Sequence, residues 1–204
     1  MKKLLLLIAI ICSFQNLHSQ EIYFYSGKNY TNYDYKDNTG TSKPSLQTGS
    51  GNFYEMGYAM PLSNEKIKYA IGLNLNEYNA IGGNTVNSYI WNTQYLGVKN
   101  SISYSLFDRS SFDVALSGGL TLATLIYGKQ ELNGTFIDLM SQKEFSGLIV
   151  QPFLGFQTRY NILNDGYLSF GYNFSKSFNV TNSTNEKLSF NNSQLQFGIH
   201  FNMQ

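Results

Sequence analysis

Residues 194–203 read QLQFGIHFNM, and every second side chain of this stretch is large and apolar. The apolar positions are Leu195, Phe197, Ile199, Phe201 and Met203. Successive side chains of a β-strand point to opposite faces, so a period of two predicts a strand with one apolar and one small or polar face. This closing stretch indicates an all-β fold.

The same alternation recurs along the chain in segments long enough to cross a bilayer when tilted. They are residues 21–30, 54–60, 67–75, 96–106, 112–127, 148–162 and 168–175. In the first segment two registers fit, and we place Ile22 and Phe24 outward. Pro152 departs from the pattern because proline removes a hydrogen-bond donor of the ladder. Together with the closing stretch, these segments predict eight strands.

The connections alternate in length. Short turns are expected at residues 63–66, 108–111 and 164–166, and long polar loops at 31–51, 79–92, 128–146 and 179–192. All short turns then fall at one end of the sheet and all long loops at the other. This is the arrangement of an outer-membrane barrel, with short periplasmic turns, long extracellular loops and periplasmic termini.

The residue types of the two faces decide which face points outward. Charged residues make up only 13% of the chain and aromatic residues 16%, so the outer surface is not mostly exposed to water. The polar face carries Gly, Ala, Ser, Asn and Gln, which suit the narrow interior of an eight-stranded barrel, whereas the apolar side chains are too bulky for it. A soluble lipocalin-like barrel would have the opposite orientation. We therefore place Leu120, Phe170 and Phe197 toward lipid.

Residues 1–20 have the pattern of a secretory signal peptide, which leaves 21–204 as the barrel domain. Lys2 and Lys3 precede a short apolar stretch, and cleavage is expected near Ser19 or Gln20. The alternative is lipidation of Cys12, the single cysteine, but Ile11 stands where a small residue is needed.

With this architecture the chain resembles the small outer-membrane β-barrels of the OmpX, OmpW and OmpA-barrel types. The alternation that runs to Phe201 and Met203 is similar to the closing-strand signal that the barrel assembly machinery reads in such proteins, although the final residue is Gln204. The resemblance implies an all-β, eight-stranded, antiparallel up-and-down transmembrane barrel in the cell outer membrane. It also implies contact with membrane lipids and lipopolysaccharide.

Charged residues on the polar face form the candidate site. They are Glu55, Lys68, Lys99, Asp113 and Arg159, with Glu21 and His200 expected nearby. Ionisable groups in a narrow barrel are costly unless they are paired, so we expect two charged layers that block the bore. A Ser–His catalytic pair is the competing interpretation of His200, but Asn202 stands two positions on instead of a serine.

These patterns contain no catalytic constellation, no cofactor or metal site and no basic field for nucleic acid. Three roles stay open. The first is a structural or surface-binding barrel with a plugged lumen. The second is a narrow channel for a small solute or hydrophobic molecule, and the third is an accessory subunit with a protein partner in a larger outer-membrane complex.

Overall fold

The computed structural model describes residues 20–36, 46–62, 66–83, 88–109, 111–132, 134–163, 166–181 and 187–203. The expected signal peptide lies outside this part of the chain, except for its last residue, and stays a prediction. The strands are β1 (Gln20–Lys36), β2 (Gln47–Pro61), β3 (Ile67–Glu77), β4 (Ala80–Gly83), β5 (Ser88–Arg109), β6 (Phe112–Leu132), β7 (Thr135–Asp138), β8 (Leu148–Leu163), β9 (Gly166–Asn179) and β10 (Lys187–Met203). Within these residues no helix could span a membrane.

Eight of the strands close into an antiparallel ring in chain order. The ring runs β1, β2, β3, β5, β6, β8, β9 and β10, and β10 pairs back with β1 from Gln20–Met203 to Lys36–Lys187. The short β4 follows β3 and lies between β2 and β5, while β7 folds back on the end of β6. The predicted eight-stranded up-and-down barrel is confirmed.

Large apolar side chains cover the outer wall. Leu120 is 39% exposed, Phe170 52% and Phe197 49%, and Ile22 and Phe24 of the ambiguous first strand also point outward. Exposed apolar surface of this extent is unfavourable in water and favourable against lipid tails. The wall therefore belongs in a bilayer.

Two tyrosine hydroxyls on this wall have hydrogen-bond partners on the neighbouring strand. The Tyr69 hydroxyl donates to Oδ1 of Asn100 at 2.6 Å, and the Tyr172 hydroxyl donates to Oγ of Ser193 at 2.9 Å. Pro152 lies at an interruption of the β8–β9 ladder and keeps its place opposite Leu120 on β6. The missing proline donor thus falls where β9 is not paired with it.

The expected long loops are shorter than the sequence suggested. β1 and β10 continue together to the Lys36–Lys187 pair, and β5 and β6 reach 22 and 21 residues. The predicted loops at 31–51, 79–92, 128–146 and 179–192 are therefore wrong where strands continue into them, at 31–36, 47–51, 80–83, 88–92, 128–132, 135–138 and 187–192. Residues 37–45, 84–87, 133 and 182–186 of these loops lie outside the described residues. Polar residues there continue the strands because backbone pairing and a filled interior, rather than lipid contact, hold that end of the barrel together.

Candidate functional site in the barrel lumen

The inward side chains divide the lumen into layers. The end where Gln20 pairs with Met203, and where the short turns lie, is called the terminal end; the opposite end is the loop end. From the terminal end upward the layers are a charged cluster, a separate Glu55–Lys99 ion pair, a belt of amides and an aromatic layer.

Glu21 is the centre of the charged cluster at the terminal end. Its carboxylate accepts hydrogen bonds from the Lys68 ammonium and from the Tyr167 hydroxyl. Nδ1 of His200 lies 3.7 Å from Oε2 of Glu21, and the imidazole stacks on the Tyr167 ring with centroids 4.1 Å apart. A buried carboxylate is tolerated in such a position because several donors converge on it.

Arg159 extends this cluster across the barrel. Its Nη1 lies 3.4 Å from Oδ2 of Asp113, which also accepts a hydrogen bond of 3.1 Å from the Ser105 hydroxyl. The guanidinium carbon lies 5.6 Å from the centroid of the Tyr167 ring, within the range of a cation–π contact. The two ion pairs at this end are thus joined through Tyr167.

Glu55 and Lys99 form the second charged layer. Nζ of Lys99 donates to Oε2 of Glu55 at 2.9 Å, and the Tyr23 hydroxyl donates to the other carboxylate oxygen at 3.0 Å. Gly72 lies between the two strands, where a Cβ would be 3.0 Å from Oε1 of Glu55. A Cβ on Gly57 would run into the Tyr23 ring. These glycines make room for the ion pair and its tyrosine.

His200 has a serine partner that the sequence pattern did not reveal. Oγ of Ser169 on β9 lies 2.9 Å from Nε2 of His200, and Glu21 lies on the other side of the ring. The order Ser–His–carboxylate is that of a catalytic triad. Ser169 is 3% exposed, however, and the void beside His200 measures about 40 Å³, which holds a few water molecules and no ester substrate.

A belt of amides fills the next layer. Asn29 accepts hydrogen bonds from Asn192 at 3.0 Å and from Gln194 at 2.9 Å, and donates to Asn76 at 3.1 Å. Asn173 donates to Gln194 at 3.1 Å and also to Gln196. The void in this layer measures about 20 Å³. Small polar side chains are thus held by one another in the lumen.

Aromatic rings close the lumen at its loop end. Phe190 packs against Tyr33 and Tyr78, with ring centroids 5.0 and 4.5 Å apart, and the buried Tyr95 lies beside them. The Tyr33 hydroxyl donates to the backbone carbonyl of Tyr78 at 2.9 Å. Tyr33 of this layer also contacts the rings of Trp91 and Phe145. Together with Gln130, these two rings line part of a cavity of about 400 Å³ at the barrel mouth.

A β-bulge at Ile126 shapes this cavity. The pairing of β5 with β6 shifts between Gln94 and Tyr95, so the inward face of β6 changes from odd to even positions. Leu125 and Gly128 are both buried, while Ile126 and Tyr127 point outward. The shift turns Gln130 toward Trp91, whose Nε1 donates to Oε1 of Gln130 at 2.9 Å.

The lumen thus contains all the charged residues singled out from the sequence. Glu55 contacts Lys99, whereas Lys68, Asp113, Arg159 and His200 lie in the cluster around Glu21 and Tyr167. The sequence analysis did not identify Tyr23, Tyr167 and Ser169 as members of this site. Tyr23 and Tyr167 occupy strand positions whose side chains point inward, and this placement could have indicated a role in the lumen. Among the described residues, no group of three or more His, Cys, Asp or Glu could hold a metal ion.

Comparison with protein-family models gave no match, and comparison with curated proteins gave none. Solved structures do resemble the chain. Neisserial surface protein A aligns with a TM-score of 0.52 and 13% identity over 88% of this chain and 96% of that one. The outer membrane protein OprG from Pseudomonas aeruginosa aligns with a TM-score of 0.52 and 10% identity over 92% and 97%.

At these identities the likeness shows the fold. The chain has the fold of the small outer-membrane β-barrels, and its apolar outer wall agrees with a location in the cell outer membrane.

Proposed function

We propose that this outer-membrane barrel is closed to solutes and has a structural and surface-binding role, with its binding surface at the loop end. The main support is the stack of layers that fills the lumen. Two charged layers, an amide belt and an aromatic layer follow one another, and the voids beside the ion pairs and amides measure about 40 and 20 Å³. A solute larger than a few water molecules has no room there.

The Glu55–Lys99 pair is the element that we expect to hold the middle of the lumen closed. Both side chains are buried and meet over Gly72 of the strand between them, and Nζ of Lys99 also lies 4.8 Å from the centroid of the Phe153 ring. Removal of either partner leaves a buried charge without compensation, and water entering the gap relieves this cost. Loss of the pair should therefore open a hydrated path.

Single-channel current in planar bilayers tests the closed state. We expect no steady current through the parent, intermittent current through Glu55→Ala and Lys99→Ala, and no steady current through Lys143→Ala, which alters an exposed lysine outside the strands. A parent that conducts steadily would overturn the closed state, and a current that neither lumen variant changes would favour a narrow transport barrel.

The proposed partners follow from the two exposed surfaces. The apolar wall contacts membrane lipids, and lipopolysaccharide is expected around its loop end. The closing strand, with Phe201 54% exposed and Met203 at its end, is proposed as the segment recognised by the barrel assembly machinery. Phe201→Ala should slow assembly in cells, whereas Phe107→Ala, a change of equal size on the same wall, should not.

No catalytic role is proposed for the Ser169–His200–Glu21 arrangement. Ser169 and His200 are both buried among the packed side chains at the terminal end of the lumen, and the imidazole is stacked on the Tyr167 ring. These contacts favour a structural role, in which the histidine links the Glu21 cluster to Ser169 and Gln157.

A further inference from the structure

The cavity at the loop end has the composition of a small-molecule site. Its volume of about 400 Å³ lies in the range of ligand pockets, and its wall combines aromatic rings with a few polar groups. Tyr35, Tyr89, Trp91 and Phe145 supply the rings, and Gln130 and Glu144 supply an amide and a carboxylate.

The aromatic wall is held in place before any ligand arrives. The Trp91 ring meets Tyr33 and Phe145 edge to face, with centroids 5.4 and 4.9 Å apart, and its indole nitrogen is bound to Gln130. Rings fixed in this way lose little conformational freedom on binding, so their contact surface contributes to affinity at low entropic cost.

A strap, residues 139–147, forms part of the cavity wall and is also held in place. Nδ2 of Asn179 donates to the backbone carbonyl of Ser146 at 2.9 Å and to that of Glu144 at 3.3 Å. At the other end of the strap, the amide of Leu139 donates to the carbonyl of Gly128 at 3.0 Å. Glu144 and Phe145 are therefore carried by a pinned backbone.

Charge decides the ligand class. Among the described lining residues Glu144 is the charged one, and it takes part in none of the ion pairs of the described structure. Faces of Trp and Tyr rings attract cations, and a carboxylate at the rim adds to that attraction. An anion would be repelled by the Glu144 carboxylate and by the faces of the rings.

We infer that this cavity binds a small aromatic organic cation, with Trp91 and its neighbouring rings around the apolar part and Glu144 beside the positive charge. The inference deepens the surface-binding role proposed above. Trp91 and Phe145 of the cavity wall pack against Tyr33, which belongs to the same buried cluster as Tyr78 and Phe190, so the ligand is held at the mouth and does not cross the barrel.

Trp91 makes the binding directly measurable, because it is the single tryptophan of the sequence. The folded full-length mature barrel in detergent micelles is titrated with benzyltrimethylammonium while the intrinsic Trp91 fluorescence is followed. Its uncharged carbon analogue neopentylbenzene and the anion phenylacetate are titrated in parallel. The variants are Glu144→Gln and the matched control Glu131→Gln, which removes an acid on β6 that does not line the cavity.

We expect saturable quenching by the cation, weaker binding of the uncharged neopentylbenzene and no quenching by phenylacetate. The dissociation constant of the cation should rise about fivefold or more in Glu144→Gln, as expected for the loss of one ion-pair contact. Glu131→Gln should bind like the parent. Absence of saturable quenching by the cation, or equal affinity in parent and Glu144→Gln, overturns the inference. Planar-bilayer current is recorded separately: a conducting parent overturns the closed-lumen function, whereas the titration alone decides the cation site.

Discussion

Nζ of Lys99 lies 2.9 Å from Oε2 of Glu55, and the two side chains meet across Gly72 of the strand between them. Both groups are almost completely buried, so each depends on the other for compensation of its charge. The Tyr23 hydroxyl donates a hydrogen bond to the second carboxylate oxygen of Glu55, so both oxygens have a partner.

The first prediction concerns the stability that this pair confers. Glu55→Ala and Lys99→Ala should each lower the free energy of unfolding by about 3 to 5 kcal/mol, because each leaves an unpaired buried charge. The double variant should cost less than the sum of the two. Urea unfolding in lipid vesicles measures all three, and Lys143→Ala serves as an exposed control; additive single effects would show that the two charges are not coupled.

The second prediction concerns the outward face of β9. Phe170 lies within the span of the wall, whereas Phe178 lies near the loop end of the same strand, and the two are 52% and 45% exposed. Arginine should cost about 2 to 4 kcal/mol at Phe170 and about 0 to 1 kcal/mol at Phe178, because the cost of a charge falls toward the membrane interface. Unfolding from lipid vesicles compares the two variants.

Ser117→Arg is the matching substitution on the inward face of the barrel. Its side chain enters the lumen, where crowding rather than lipid contact sets the cost. If Phe170→Arg folds as stably as the parent, the assignment of the lipid-facing wall is wrong.

The third prediction concerns topology. Lys143 in the strap is exposed at the loop end, and Ser111 is exposed at a short turn near the terminal end. In intact cells a cysteine at position 143 should react with an impermeant maleimide, and one at 111 should react only after the outer membrane is breached. Cys12 lies in the expected signal peptide, so each mature variant should carry one thiol. The reverse labelling pattern would invert the orientation.

The fourth prediction concerns Ser169. The folded parent should not react with a fluorophosphonate probe, although Oγ lies 2.9 Å from Nε2 of His200, because the serine is 3% exposed and the void beside the histidine holds only a few waters. Mass spectrometry of the intact barrel detects any adduct, with a serine hydrolase as the positive control. Labelling of the parent that disappears in Ser169→Ala would demonstrate a reactive nucleophile.

Several assignments could be made from the sequence because they depend on local geometry. The alternation of Leu195, Phe197 and Ile199 with polar neighbours identifies both faces of a strand without knowledge of its partners. Bulky apolar side chains do not fit an eight-stranded lumen, which fixes the direction of each face. These two facts predict the number of strands, the residues of the outward wall and the inward position of the charged residues.

The strand boundaries at the loop end were harder to obtain from the sequence. Polar and aromatic residues between 31 and 36 have no lipid-facing pattern, yet they pair with β10 because the barrel continues beyond the apolar wall. The bulge at Ile126 is equally invisible in a pattern of period two, since one extra residue reverses the parity of everything after it.

By itself, the sequence determined the fold class and, within the apolar wall, the two faces of most strands with the charges that lie inside, because side-chain alternation and residue size are local properties. Only the tertiary structure decided which of these groups meet. Glu21, Ser169 and His200 come together because β1 closes on β10 and β10 pairs with β9 in a particular register, and the mouth cavity exists because a bulge and a pinned strap bring Trp91, Gln130 and Glu144 to one place. Register and closure are set by all the strands of the ring together, so no single segment contains them.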